Sequence, residues 1–233
     1  MTDYTLYYWP IPFRGQFVRA VLAHVGASWE ERDMDEIMAL KGKPPAEQPV
    51  PHMGPPVLID HAADCALSQL PAILGYLGRK YGLMPEDPVR AALTDKMIAD
   101  ANDVLYEITL HNGAQMWTKQ SWDEYLPRLK RWMQMFEATG QGYGLTADQG
   151  FLLGTEALGI ADITTGILWG TMTDKLPALA PLLEQTAPAV AGLCGRIAAL
   201  PAQAKLRADS DAAYGDEWCS GQIEASLRAV NPV

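Results

Sequence analysis

The spacing of apolar residues divides the chain into a mixed first part and a helical remainder. Thr5 to Trp9 are β-branched, apolar and aromatic, which predicts a short strand. Pro10-Ile11-Pro12-Phe13-Arg14-Gly15 reads as a loop by its prolines and glycine. Val18, Val21, Leu22 and Val25 then fall at i, i+3, i+4 and i+7, one helix stripe, and Gly26 ends it. Ser28 to Asp33 reads as a second strand with Trp29 as its core residue. Met38 to Gly54 holds four prolines and two glycines and reads as irregular. Pro56-Val57-Leu58-Ile59-Asp60 predicts a strand, His61 to Asp64 a turn, and Cys65-Ala66-Leu67 the return strand of a hairpin. A helix follows over Pro71 to Gly82, with proline at its start and Ile73, Tyr76, Leu77 and Tyr81 along it.

Leu83 to Pro88 (Leu-Met-Pro-Glu-Asp-Pro) reads as a linker, and the pattern beyond it is helical. Leu93, Met97, Val104 and Ile108 keep helical spacing over a long segment. Ser121 and Glu124 have the spacing of a capping box, opening a helix striped by Leu129, Trp132, Met133 and Phe136. Ile160, Ile163, Ile167 and Leu168 stripe another. Val190, Leu193, Ile197 and Leu200 stripe a third, which Pro201 closes. The final segment, with Tyr214, Trp218 and Cys219, has no clear period. The predicted architecture is an α+β unit (βαβ-ββα) over 1–82, a linker over 83–88, and an all-α helical bundle with a C-terminal tail over 89–233.

Composition narrows the function classes. Apolar residues make up 48% and charged residues 20%, the profile of a globular protein able to bury a sizeable core. The net charge of −10 disfavours nucleic acid and anionic membranes, which need a basic face. A small anionic ligand needs only local donors and is not excluded. Three cysteines (Cys65, Cys194, Cys219) form no Cys-x-x-Cys pair, and four histidines (His24, His52, His61, His111) show no metal-ligand spacing, so no metal is expected. Met1-Thr2-Asp3-Tyr4 lacks the basic and apolar regions of a signal peptide, and no apolar run reaches membrane-spanning length. The cytoplasm is the expected location.

The order of these segments resembles the cytosolic glutathione transferase superfamily. Pro56 to Asp60, then Leu67-Ser68-Gln69-Leu70-Pro71-Ala72-Ile73-Leu74, Tyr76-Leu77 and Lys80-Tyr81-Gly82-Leu83, are similar to the family's cis-proline strand, hairpin and following helix. Tyr4-Thr5-Leu6-Tyr7-Tyr8-Trp9-Pro10, with Arg14-Gly15 and Arg19, is similar to the first strand and helix of its tyrosine-type classes. Phe151-Leu152-Leu153-Gly154 followed by Ala161-Asp162 is similar to its buried helix-capping segment. The resemblance lies in the joint order and spacing of these segments. The resemblance implies a thioredoxin-like N-terminal domain, an all-helical second domain, a homodimer, glutathione as co-substrate and a small hydrophobic electrophile as its partner.

Glutathione chemistry needs a thiolate, and a free thiol has a pKa of about 8.5. A hydrogen-bond donor aimed at the sulfur lowers that value. Tyr8 sits where tyrosine-type relatives place the donor; read alone, it is a half-buried strand aromatic, and Tyr7 is the fallback if the register slips by one. The loop from Tyr8 to Arg14 has no serine or cysteine to take that role, and it is about two residues longer than in common classes of the family. Arg14 matches an arginine that braces the site, against a plain surface arginine near a helix start. Lys41 and Lys43 stand where relatives hold the glycine carboxylate of glutathione, against a solvated loop lysine, and Lys43 is the nominee. Pro56 matches the cis-proline. The residue before it, Pro55, has no N–H, so one backbone hydrogen bond usual in relatives is missing, a loss of about 0.5–1.5 kcal/mol. Gln69 and Leu70 align with the Gln/Glu-Ser pair that binds the γ-glutamyl carboxylate; Leu70 lacks the hydroxyl, but the helix start keeps its free N–H groups. Asp100 lies on an apolar stripe and needs a partner: in relatives the γ-glutamyl amine across a dimer interface, otherwise an intramolecular arginine. Asp162 matches a structural helix-capping aspartate behind Gly159. The family's electrophile site nominates Ile11, Phe13, Tyr106, Ile108, His111 and Trp117, each of which also reads as core or interface.

Overall fold

A computed structural model describes residues 2–231. The N-terminal part is a four-stranded sheet in the order β2-β1-β3-β4. Strand β1 (Tyr4–Tyr7) pairs parallel to β2 (Trp29–Glu31) and antiparallel to β3 (Val57–Asp60), so Leu6 lies between Glu31 and Leu58. β3 turns back into β4 (Cys65–Ser68). The helices of this part are α1 (Phe13–Val25), α2 (Met34–Gly42) and α3 (Leu70–Lys80). The predicted strands and helices are all present, in the expected thioredoxin-like order.

Two local differences have physical reasons. The segment read as irregular from Met38 contains most of α2. Its start is a reciprocal cap: Asp33 Oδ1 accepts from the Glu36 N–H at 2.9 Å, and Glu36 Oε2 accepts from the Asp33 N–H at 3.1 Å. Only Ile37 and Leu40 of this helix are buried, too few to write a stripe. Trp29 is partly buried rather than a core residue, because β2 is an edge strand.

The helical part begins at α4 (Pro88–Ile108), capped by Asp87 and opened by proline. A single turn, α5 (Leu110–Gly113), follows, with φ of 43° at Leu110, 61° at His111 and 58° at Asn112. Helix α6 spans Lys119–Gly142; its cap is Thr118 with Ser121 at the third position, so the expected Ser121–Glu124 box is shifted by one turn. Helix α7 (Ile160–Lys175) is buried nearly all round and packs against α1, α4 and the later α8 (Ala180–Thr186) and α9 (Pro188–Ala198). Asp162 accepts from the N–H groups of Leu152 at 2.6 Å and Gly159 at 2.8 Å, the structural capping role expected of it. Pro201 opens α10 (Pro201–Tyr214) as well as ending what precedes it. The segment without clear period holds α11 (Gly221–Val230). Among the described residues no helix is long and apolar enough to cross a membrane.

Candidate functional site

A cleft of about 600 Å³ lies between the C-terminal end of β1, the starts of α1 and α3, the middle of α4, and the segment leading into α11. Sequence forces these pieces together. The prolines after β1 break the strand, Ile11 and Phe13 bury themselves, and Arg19 ties the loop down. Arg19 is 2% exposed; its guanidinium donates to both Glu31 carboxylate oxygens at 2.8 and 2.7 Å and to the Ile11 carbonyl at 2.8 Å. The bidentate pair locks the loop against β2.

Tyr8 lies on the floor of this cleft and is 3% exposed. Its hydroxyl oxygen accepts from the Arg14 backbone N–H at 2.9 Å. Among the described residues no acceptor takes the phenolic proton, which leaves that proton free for a group in the cleft. Burial pushes the phenol up to about 12, with the charges of Arg14 and Arg19 pulling the other way. Tyr8 therefore stays a neutral donor across the physiological range. Tyr7 belongs to β1 and does not line the cleft.

Arg14 lines the cleft through its side chain. Its Nε donates to Asn102 Oδ1 at 3.1 Å, bridging α1 to α4, and its guanidinium stacks 4.8 Å from the Phe13 ring centre. Burial lowers its pKa.

The Pro55–Pro56 bond is cis, as the resemblance implied for Pro56, and both prolines line the cleft. Gln69 and Leu70 lie beside them at the start of α3. Gln69 holds φ at 72°, a left-handed conformation that costs a non-glycine residue about 1–3 kcal/mol and marks a place where the backbone is held for a reason. Lys41 reaches the cleft with its ammonium 5.9 Å from the Trp9 ring centre, whereas Lys43 does not line it.

Ile11, Phe13 and Tyr106 line the cleft as expected for its apolar part. Several nominees do not. Asp100 is in an ion pair with Lys96, one turn back on α4, rather than with an arginine, and is outside the cleft of a single chain. His111 is exposed and tilts against Tyr106 at 4.7 Å, leaving Asn112 to face the cleft. Trp117 is 6% exposed; its indole N–H donates to the Ile108 carbonyl at 2.8 Å and its ring packs on Trp122 and Tyr125, so its place is in the core. Ile108 is fully buried.

Other lining residues were missed by sequence reasoning: Met53, Asn102, Thr109, Asn112, Cys219 and Ile223. Cys219 belongs to a C-terminal strap, and Ile223 to the start of the α11 helix that follows it. Trp218 packs edge-on against Phe13 at 5.2 Å, and its carbonyl accepts from the Phe13 N–H at 3.1 Å. Glu224 Oε2 accepts from the N–H groups of Trp218, Cys219 and Ser220 at 2.9, 2.8 and 2.6 Å. A short signal for the strap was present in the sequence: Ile223 and Leu227 at i, i+4 beside a Glu224–Arg228 pair at the same spacing. Burial pushes the Cys219 thiol up, and the Glu224 charge adds to this, so the thiol stays protonated.

Comparison with known proteins agrees with this architecture. A family model described as "Glutathione S-transferase, C-terminal domain" matches residues 93–230. Glutathione S-transferase P of Bos taurus is 29% identical over 141 residues, which is 59% of this chain and 62% of that protein. The chain thus matches under two thirds of that relative's length. The Pi-class glutathione S-transferase of Onchocerca volvulus has a similar fold, with a TM-score of 0.72 at 20% identity over 91% of this chain and 95% of that one. So does prostaglandin synthase D of Nilaparvata lugens, with a TM-score of 0.67 at 20% identity over 88% and 97%. The family model alone spans more than half of the sequence, and the chain belongs to the glutathione S-transferase family.

Proposed function

We propose that this chain conjugates glutathione to small electrophiles, with Tyr8 as the residue that stabilises the thiolate. The observation that carries the reading is the phenolic proton of Tyr8. Its oxygen is committed to the Arg14 N–H while its proton has no acceptor among the described residues. A sulfur held in the cleft would take that hydrogen bond, and a bond to the anion but not to the thiol lowers the thiol pKa.

The rest of the tripeptide has matching partners. The free N–H groups at the start of α3, next to Gln69 and Leu70, suit the γ-glutamyl carboxylate. Lys41 suits the glycine carboxylate better than Lys43, because it lines the cleft. The cis Pro55–Pro56 segment lines the cleft, and there it would run alongside the ligand backbone. In a homodimer, Asp100 would exchange Lys96 for the γ-glutamyl amine of the neighbouring site. Ile11, Phe13 and Tyr106 form the apolar wall for the electrophile. In the reaction the sulfur forms a bond to the electrophilic carbon, the leaving group departs with its electron pair, and the thiol proton goes to solvent.

Conjugation of a chloronitrobenzene tests the assignment. Tyr8→Phe should lower kcat/KM about 10–100-fold, the worth of a hydrogen bond to a charged group. The apparent pKa of the pH–rate profile should rise toward the free-thiol value of about 8.5. Unchanged turnover with an unchanged profile would exclude Tyr8 from the role.

Pro55 and Leu70 favour a second reading, a ligand-binding protein without transferase activity, since each lacks a donor that relatives supply. Calorimetry separates the two: no glutathione binding at millimolar concentration would favour the second.

A further inference from the structure

A second cavity, of about 80 Å³, lies on the far side of α1 from the cleft, where α1 meets α7, α9 and α10. One water needs only about 10–15 Å³ of such space, so the cavity has room for a molecule of several non-hydrogen atoms. Three buried polar atoms in its lining have no partner: Gln16 Oε1, Gln203 Oε1 and Ser210 Oγ. Their residues are 4%, 4% and 6% exposed. The Gln203 amide is oriented by its own nitrogen, which donates to the Ala20 carbonyl at 2.8 Å, so its oxygen is the end left without a partner in this cavity-lining residue. A buried polar group left unpaired is costly, and three around one cavity favour an occupant that pairs with them.

We propose that this cavity is a binding site for a small, uncharged aliphatic primary carboxamide. The lining supplies two amide oxygens, which only accept, and one hydroxyl, which both donates and accepts. A primary carboxamide is the complement: two N–H donors for Gln16 and Gln203, and a carbonyl for the Ser210 hydroxyl. Ile167 from α7, Ile197 and Ala198 from α9 and Leu206 from α10 give the cavity an apolar side that suits an aliphatic body. The ligand is uncharged because the ionic groups at the cavity are already paired, Lys175 with Asp211 and Arg207 with Asp174. An ion brought in would lose its hydration without gaining a counter-charge.

Titration of the full-length protein with isobutyramide, followed by amide NMR, tests this. The expected result is saturable shifts of the Gln203 side-chain NH2 and of residues around Ser210, and no such shifts with isobutyrate, which has the same shape but carries a charge and no N–H. Ser210→Ala should weaken the affinity about tenfold, the worth of one hydrogen bond, with the fold intact by the same spectra. Gln203→Met should weaken it at least as much. Equal response to isobutyrate would overturn the donor assignment. Shifts that never saturate, or that map to the Tyr8 cleft, would mean that ordered water alone fills the cavity and would overturn the site.

Discussion

Gly15 sits directly behind the Tyr8 ring. A Cβ at this position would lie 2.2 Å from Tyr8 Cδ1 and 2.8 Å from Cε1 and Cγ, so no other residue fits without moving the ring. The ring has little freedom to yield, with the Arg19 guanidinium 5.7 Å from its centre and its hydroxyl held by the Arg14 N–H. Gly15→Ala should therefore displace the donor while leaving the fold intact. Overpacking of this kind costs about 1–3 kcal/mol of stability, whereas a misplacement near 1 Å at a reacting centre costs about 100-fold in rate. Steady-state kinetics beside a thermal melt would show a folded protein with much reduced kcat/KM. Combined with Tyr8→Phe, the alanine should cause almost no further loss, since both changes remove the same hydrogen bond. Full activity in Gly15→Ala would show that the position of the ring does not matter to the chemistry.

Which elements could be read from the sequence depends on how each is held. Helices α1, α3, α4, α6 and α7 carry broad buried faces, and their stripes marked them. The first-strand tyrosine, the cis-proline and the Gln69–Leu70 helix start were legible by the order of segments, and all three meet at the cleft. Helix α2 was not, because caps hold it rather than a core. The strap before α11 was not, because one carboxylate holds it: Glu224 takes three backbone N–H groups and pairs with Arg228. Trp117 left both readings open, since an aromatic beside a site looks the same in sequence whether it faces the cavity or the core, and the structure puts it in the core. The strap has a consequence for pH. Burial pushes the Glu224 carboxyl up, but Arg228 and the three N–H groups outweigh it and hold it below the usual carboxylate range. A depressed folded value contributes stability above the unfolded value of about 4.3, and that contribution is lost as pH falls through the folded one. Hydrogen exchange of residues 218–220 should therefore lose protection only on acidification below about pH 4. Glu224→Gln should lose it already at neutral pH, with sheet amides unchanged. Wild-type protection of those amides in Glu224→Gln would show that the strap is held by packing alone.

Helix α1 binds the molecule into one unit. Every residue from Gly15 to Leu22 is buried, all round the helix rather than on one stripe. A helix apolar on all sides needs neighbours on all sides. The N-terminal part covers it with α3, and the remaining contacts come from α7 and α10 of the helical part. The join is polar as well as apolar: Gln203 of α10 donates to the Ala20 carbonyl, and the Leu83 carbonyl accepts from the Ile160 N–H at 2.9 Å. The sheet and the helical bundle should therefore unfold together, in one thermal transition with calorimetric and van't Hoff enthalpies in agreement. A fragment of residues 1–86 should not fold by itself. Its small size already limits the surface it buries, and separation strips cover from Phe17, Ala20 and Val21, which are 2%, 0% and 0% exposed in the whole chain. Each such apolar side chain of Val or Phe size contributes about 1.5–3 kcal/mol when fully buried, comparable in sum to the whole stability of a small domain. The fragment should bind a hydrophobic dye and melt without a cooperative step. A fragment with a sharp melt and dispersed NMR signals would show that the helical part adds little to α1, and that the shared helix is a contact between independent domains rather than a common core.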